Sequence, residues 1–180
     1  MDKATDGANR VLTPIFFEKP AVRAARDLLG KYLVRRWRGK EISSMITEVE
    51  AYDGPHDKAS HASRGITPRT KTMFGEPGFW YVYFTYGIHW MLNIVTGAEG
   101  YPAAVLIRGT EAVSGPGRLT KYFHVTGTLN KKPATKVSGL WIEDRGKRIP
   151  CSRIQKSARI GVDYAGPVWA KKEYRFLVKK

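Results

Sequence analysis

A stretch rich in aromatic and β-branched residues runs from Phe79 to Val95 and is split at Tyr86-Gly87. Residues of this kind favour β-strands, and a glycine-containing pair between two such runs is typical of a tight turn. The stretch therefore predicts two antiparallel strands with Tyr86 at the tip of the hairpin. Because such a run ordinarily belongs to a core sheet, we expect the fold to be organised around it and around the strand that precedes it.

The preceding strand lies in the segment ITEVEAYDGPHDKASH, which begins at Ile46. Its period-two alternation places Glu48 and Glu50 on one face. The residues on the opposite face are Thr47, Val49 and Ala51. The turn signature Asp53-Gly54-Pro55 then ends the strand, so Glu50 and Tyr52 are expected where a loop, and often a functional site, begins.

Several other segments predict regular structure. Pro20 to Gly30 has apolar residues at helical spacing, His56 to Ala62 is expected to form a brief helix, and Tyr32 to Trp37 is expected to pair with Glu41 to Tyr52. Ala103 to Arg108 is a continuous apolar run that predicts a strand buried on both faces. With 42% hydrophobic residues the chain can bury a core, so the predicted fold is one α+β domain over residues 12–180 after a flexible lead-in at 1–11.

The charge of the chain points to a polyanionic partner. Lys and Arg number 31 against 16 acidic residues, which gives a formal net charge of +15 and a pI near 10.0. Nucleic acid is the first candidate for such a surface, and an anionic membrane is the second. Two basic turns, 63–71 and 115–121, suit phosphate groups. Their candidate contacts are Arg64, Arg69, Arg118 and Lys121.

Cys151 is the single cysteine, which excludes an internal disulfide and a cysteine metal site. No apolar run approaches the roughly 20 residues that span a bilayer, and the first residues do not resemble a secretory signal. These observations predict a protein that stays in a reducing cytoplasm and does not insert into a membrane.

Glu50 is the first candidate for chemistry. A carboxylate beside aromatic rings loses hydration, which makes it a better proton acceptor near neutrality. The competing interpretation is an ordinary acid on an exposed strand face, paired with a lysine or arginine. Glu48 shares the alternation of Glu50 and serves as an internal control.

A metal site is a further possibility for His56, Asp57 and His61, which would make the protein a metal-dependent hydrolase. The two histidines are five positions apart, whereas zinc hydrolases place two histidines four apart on a helix in an HExxH motif that this chain lacks. We therefore expect no metal and no cofactor, and a packed or capping role is the alternative for His61.

The aromatic side chains divide into two groups. Trp80, Tyr81 and Trp90 are expected to belong to the core of the sheet. Tyr83 and Tyr86 lie near a turn of a cationic protein, where a ring can stack on a nucleobase or enter a base stack.

These segments resemble the alkyladenine, or methylpurine, DNA glycosylase family. The resemblance runs through TEVEAYDGPHDKASHASRG, TPRTKTMFGEPGFWYVYFTYGIHWMLNIVT, AAVLIRGTEA, GPGRLTK and SARIGVDYAGPVWA, and it covers almost the whole chain from Leu12. It implies a monomeric α+β domain with a curved antiparallel sheet flanked by short helices, which acts without a metal. The long N-terminal extension of animal members is missing, so the chain looks like a bacterial-type member.

The resemblance also implies an activity and the residues for it. The family hydrolyses the bond between a damaged purine and deoxyribose in double-stranded DNA, and its catalytic glutamate falls on Glu50. Its base-pocket residues fall on Tyr52, His61, Tyr83 and Asn93. Its intercalating tyrosine falls on Tyr86, and a DNA-facing arginine falls on Arg108. The alternative from another class is a non-catalytic nucleic-acid-binding module with a basic aromatic groove, in which Glu50 is incidental.

Overall fold

The structure is a computed structural model that describes residues 9–179. The longest strand in that range, Lys40–Asp53, holds the sheet together. In that range the strands are β1 (Arg10–Val11), β2 (Tyr32–Trp37), β3 (Lys40–Asp53), β4 (Trp80–Thr85), β5 (His89–Val95), β6 (Ala103–Thr110), β7 (Leu140–Asp144), β8 (Ile154–Ser157) and β9 (Arg175–Val178). The α-helices there are α1 (Pro14–Phe17), α2 (Ala21–Leu28), α3 (Pro116–Tyr122) and α4 (Gly166–Ala170).

All strand pairs in the sheet are antiparallel, and the main path follows the order β1-β7-β2-β3-β6-β5-β4. β9 pairs with β3 at Glu48–Glu50 and carries β8 on its other side. The sheet is not closed and short helices flank it, which confirms the predicted α+β domain. No helix within residues 9–179 combines the length and the apolar character needed to span a bilayer.

A register irregularity in β3 changes which residues face the core. The pairing of β3 with β6 shifts on both sides of Glu48. A bulge inserts an extra residue, so the alternation restarts beyond it. As a result Ile46, Val49 and Ala51 all lie in the same apolar core, while Thr47, expected on the same face as Val49 and Ala51, is only half-buried. Beyond the bulge the predicted alternation holds, and Glu50 points away from that core.

Helix α2 covers the core side of β3. Its fully buried residues follow helical spacing and are Ala21, Ala24, Ala25 and Leu28. They belong to the same cluster as Val49 and Ala51, so α2 and the glutamate-bearing side of β3 lie on opposite faces of the sheet. Small alanines let the helix approach the sheet closely, and burial of Leu28 contributes about 1.5–3 kcal/mol.

Most predicted elements are present, with small differences in extent. The strand over 103–108 extends to Thr110 and is buried throughout, and Trp80 and Tyr81 are core residues as expected. The helical turn expected at 56–62 lies instead at His61–Arg64, because Gly54 to Asp57 forms a turn closed by the Asp57 amide. Of the predicted lead-in, residues 1–8 lie outside the described residues, whereas Arg10 and Val11 pair with β7.

Candidate active site

A cavity of about 120 Å³ opens beside the ends of β3, β4 and β5. Seven residues singled out from the sequence line it: Glu50, Tyr52, His61, Tyr83, Tyr86, Asn93 and Arg108. Pockets for drug-sized ligands are roughly 300–1,000 Å³, so this one suits a single ring system rather than an extended molecule. Residues that are more than 50 positions apart in the chain thus meet at one place.

Glu50 lies at the bottom of this cavity and has a solvent exposure of 0%. Its Oε2 accepts a hydrogen bond from the Tyr52 hydroxyl at 2.9 Å, and its Oε1 accepts one from the Ile160 backbone N–H at 2.8 Å. Arg108 Nη1 lies 3.4 Å from Oε1. Both oxygens are therefore held in fixed positions, which is the requirement for a group that has to orient a reactant.

Glu48 behaves differently from Glu50, although the two share a face of β3. Its Oε1 accepts hydrogen bonds from the Nε atoms of Arg108 at 3.0 Å and Arg175 at 2.8 Å. Glu48 is thus neutralised by two guanidinium groups and does not line the cavity. Arg108, which the resemblance implied to be DNA-facing, is instead buried between the two carboxylates, because ion pairing compensates for the loss of its hydration.

The cavity walls are aromatic. His61 packs edge-on against Tyr83, with 4.9 Å between ring centroids, and Tyr83 is also 5.1 Å from Tyr81. Burial raises the pKa of the Tyr83 phenol, and the neighbouring Tyr81 adds to the effect. Burial also raises the pKa of Tyr52 well above its ordinary value, with the charge of Glu50 adding to it. These hydroxyls therefore stay protonated and act as donors near pH 7.

Asn93 occupies the part of the cavity formed by β5. It is 3% exposed, and its Nδ2 donates to the Tyr81 backbone carbonyl at 3.1 Å. This hydrogen bond fixes the amide plane of Asn93, so its side chain has a defined position in the cavity lining.

Burial, together with the positive charges of Arg69 and Arg64, lowers the pKa of His61 from 6.5 to about 4. The imidazole is therefore neutral at pH 7. Between pH 6.5 and 4 the unfolded chain binds more protons than the folded one, so the free energy of unfolding falls as the pH is lowered through this window.

His61→Gln is expected to remove this contribution and flatten the pH dependence of stability between about 4 and 6.5. Denaturant unfolding at a series of pH values measures the effect. His56→Gln is the matched control, since His56 is exposed. An equal change in both variants would contradict a special environment for His61.

Tyr86 stands at the rim of the cavity, at the tip of the β4–β5 hairpin. Its φ of 53° and the φ of 66° at Gly87 match the left-handed central positions of a tight turn, which lies within the three-residue connection 86–88. The Ile88 N–H closes the turn on the Thr85 carbonyl at 3.1 Å. Tyr86 is 81% exposed and Ile88 is 65% exposed, so the tip presents two apolar side chains to the outside.

A buried ion pair supports the loop behind Tyr52. Arg159 Nη2 donates to Asp57 Oδ1 at 2.8 Å, and its Nη1 donates to the Ala51 carbonyl at 2.8 Å. The Arg159 guanidinium also lies 4.8 Å from the centroid of the Tyr52 ring. Although burial by itself lowers the pKa of Arg159, its hydrogen bonds to Asp57 raise it above the ordinary value.

The structure separates the remaining candidates from the cavity. Arg64, Arg118 and Lys121 are exposed on the surface, and Arg69 is exposed with its guanidinium 4.5 Å from the Tyr83 ring centroid.

In the range 9–179 no three His, Cys, Asp or Glu side chains gather closely enough to hold a metal ion. Asp57, a candidate ligand in the metal hypothesis, is bound by Arg159 instead.

Sequence reasoning assigned no role to three contributors to this site. Arg159 and Ile160 come from a segment that carries the resemblance but has no residue pattern linking it to the strand of Glu50. Arg175 lies on β9, whose pairing with β3 was not predicted. The motif SARIGVDYAGPVWA was the available signal, because it carries the resemblance although it lies more than 100 positions beyond Glu50.

Together the fold and the cavity define an α+β domain with an aromatic-lined cavity built over a buried carboxylate. The family model described as methylpurine-DNA glycosylase matches residues 15–115 and 110–180. The chain therefore belongs to the methylpurine-DNA glycosylase family, a family of DNA repair glycosylases.

Curated relatives agree with this assignment. One from Methanocella arvoryzae is 42% identical over 176 residues, covering 87% of this chain and 86% of the relative. One from Myxococcus xanthus is 43% identical over 174 residues, covering 91% and 88%. One from Wolbachia pipientis subsp. Culex pipiens is 49% identical over 134 residues, covering 71% of each. All three carry the name "Putative 3-methyladenine DNA glycosylase".

Proposed function

We propose that this DNA glycosylase excises alkylated or deaminated purines from double-stranded DNA by hydrolysis and leaves an abasic site. The observation that carries the proposal is the position of Glu50, which is fully buried and yet faces the aromatic cavity with both oxygens fixed. A glutamate that was merely structural would pair fully with an arginine, as Glu48 does. In the proposal the protein works as a monomer in the cytoplasm and without a cofactor.

The first step is rotation of the damaged nucleotide out of the duplex. Extrusion costs a few kcal/mol, and less for a poorly paired lesion. The Tyr86 side chain projects from a rigid turn beside the cavity, so it can fill the gap that the nucleotide leaves. The extruded ring then lies against Tyr52, Tyr83 and His61.

The second step breaks the bond between the base and C1′. The bonding electron pair leaves with the purine, and positive charge develops on the sugar. A water oxygen forms the new bond to C1′ while Glu50 takes its proton and stabilises the charge on the sugar. Arg108 balances part of the negative charge of the Glu50 carboxylate, and Glu48 holds Arg108 in place. Water attacks directly, so the enzyme is monofunctional and forms no covalent adduct.

The cavity favours cationic purines. A purine methylated at N3 or N7 carries a positive charge, which is attracted to the faces of tyrosine rings. The departing electron pair neutralises it, so no proton donor is needed. A neutral lesion such as hypoxanthine needs protonation, and His61, with a pKa near 4, does not supply that proton at pH 7. Asn93 is the candidate for crowding out the exocyclic amino group of normal guanine.

A panel of oligonucleotides, each with one lesion, tests the proposal. Free base release followed by alkaline cleavage of the strand is the expected result, with faster release for 3-methyladenine and 7-methylguanine than for hypoxanthine and ethenoadenine. Strand cleavage without alkali would contradict a monofunctional mechanism. Tight lesion binding without base release would favour the non-catalytic binding module.

Tyr86→Ser is expected to slow excision on duplex DNA by about tenfold or more while changing excision on single strands little. The reason is that only the duplex has a base stack to be filled after extrusion. Single-turnover rates on both substrates provide the measurement. Tyr122→Ser is the control, since Tyr122 is another exposed tyrosine, 41% exposed, and does not line the cavity. Equal losses on both substrates would indicate a purely structural role for Tyr86.

A further inference from the structure

A second concave surface lies on the outer side of helix α2, with a volume of about 870 Å³. One wall comes from the N-terminal region and α2, and the other from the segment that follows β7. We call this surface the basic groove and define it by Arg10, Arg23, Arg26, Lys147 and Arg148. Four of these side chains are exposed, and Arg26 is half-buried.

The basic groove has a large excess of positive charge. Its two acidic residues are already engaged: Asp27 pairs with Lys19 and Asp144 pairs with Lys31, each at 2.7 Å. Within residues 9–179, none of the five defining side chains is within ion-pair distance of an acid. Five positive charges that converge on one groove create a strong local potential for an anion.

The basic groove and the catalytic cavity open on opposite sides of the sheet. α2 packs its alanines against the core face of β3, at Val49 and Ala51. Glu50 and Tyr52 leave β3 on the other face and line the cavity. A short duplex is stiff on this scale, because the persistence length of DNA is about 150 base pairs. One duplex seated over the cavity therefore does not reach the basic groove.

We propose that the basic groove binds the phosphate backbone of a second DNA duplex while the cavity face holds the first. DNA is the favoured occupant because the protein works on this polymer, so a neighbouring segment is always at high local concentration. The groove presents arginines from two walls, and arginine pairs readily with phosphate oxygens. A glycosylase that holds two segments can pass from one to the next without dissociating into solution.

The first test counts duplexes per chain by native mass spectrometry. The probe is a lesion-free duplex of about 12 base pairs, roughly 40 Å long. The wild-type chain is expected to bind two copies, and the triple variant Arg23→Ala, Lys147→Ala, Arg148→Ala is expected to bind one. For the wild-type chain, the slope of log affinity against log salt for the second copy should have a magnitude of at least about 2.7, or 0.9 for each of these three contacts.

A matched triple variant controls for net charge. Lys40→Ala, Lys156→Ala and Lys171→Ala remove the same charge from exposed positions that line neither the groove nor the cavity. This variant is expected to keep two duplexes. If both triple variants lose the second duplex equally, or neither does, the proposal is wrong.

Cys151 offers an independent readout. It is the single cysteine of the chain, it is exposed, and its sulfur lies in the groove 3.7 Å from Arg26 Nη2. Its rate of alkylation by a maleimide is expected to fall at least tenfold when the second duplex binds, and to stay unchanged with one duplex per chain. Unchanged reactivity at two duplexes per chain would contradict the proposal.

Two further measurements separate this proposal from its rivals. Vesicles containing phosphatidylserine should not displace the second duplex. If the vesicles displace it, and if the two triple variants also bind duplex equally, the proposal is wrong and the groove is a membrane surface. Base release from a lesion duplex in single turnover is expected to be unchanged in the groove variant. Absence of base release from the wild-type chain would overturn the proposed function but would leave the duplex count to decide the groove.

Discussion

Glu50→Gln is expected to lower the single-turnover rate of base release by about 10²–10⁴-fold while lesion-containing DNA still binds. Glutamine has almost the same shape, so its amide oxygen can still accept from the Ile160 N–H while its amide nitrogen donates to the Tyr52 hydroxyl oxygen. The negative charge that would accept the proton and stabilise the sugar is lost. Three measurements test this prediction: the rate of base release under excess enzyme, the gel-shift affinity for a lesion duplex and the unfolding midpoint of the variant.

Glu48→Gln is the matched control for that experiment. Glu48 lies two residues away on the same face of β3, but it is held by Arg108 and Arg175 and does not line the cavity. We expect it to change the rate by less than about tenfold, through a small displacement of Arg108. Retained excision in Glu50→Gln, or equal losses in both variants, would remove Glu50 from its proposed role.

Arg159→Met is expected to destabilise the protein by about 3–5 kcal/mol. The guanidinium is fully buried and binds Asp57 through two hydrogen bonds. Its removal leaves a buried carboxylate whose remaining donors, among residues 9–179, are the backbone N–H groups of Asp53 and Ala59. Leaving a buried charge without an ionic partner costs far more free energy than losing a contact between neutral groups. Urea unfolding at neutral pH measures the effect.

Two comparison variants distinguish the buried ion pair from an exposed one. Lys19→Met breaks the ion pair with Asp27, which is partly exposed, and should cost about 1 kcal/mol or less. Adding Asp57→Asn to Arg159→Met should restore part of the lost stability, because the uncompensated charge is gone. A loss no larger than that of Lys19→Met would show that the buried pair does not hold the loop behind Tyr52.

The same pair connects stability to the site. Arg159 bonds the Ala51 carbonyl on β3 and lies against the Tyr52 ring, and the next residue, Ile160, donates its N–H to Glu50. The segment that follows β8 thus fixes both the carboxylate and the ring beside it. A buried charge is costly, and here the ion pair between Arg159 and Asp57 offsets that cost.

Local patterns along the chain determine much of the fold. The alternation around Glu50 and the Asp53-Gly54-Pro55 turn predicted a strand that ends at a site, and the Tyr86-Gly87 pair predicted the hairpin tip. Such patterns are informative because side-chain direction in a strand and the φ angles of a tight turn depend on neighbouring residues only. The bulge at Glu48 was missed, since it depends on how β3 pairs with β6.

The sequence by itself therefore determined the sheet-rich fold class, the strong positive charge and the segments that bear candidate residues. Only the tertiary structure decided which of them meet. Arg159 contacts Asp57 from 102 positions away, and Arg108 is buried between two glutamates rather than facing solvent. Partner choice for a buried charge depends on which distant groups folding brings within a few ångströms, and no local pattern encodes that distance.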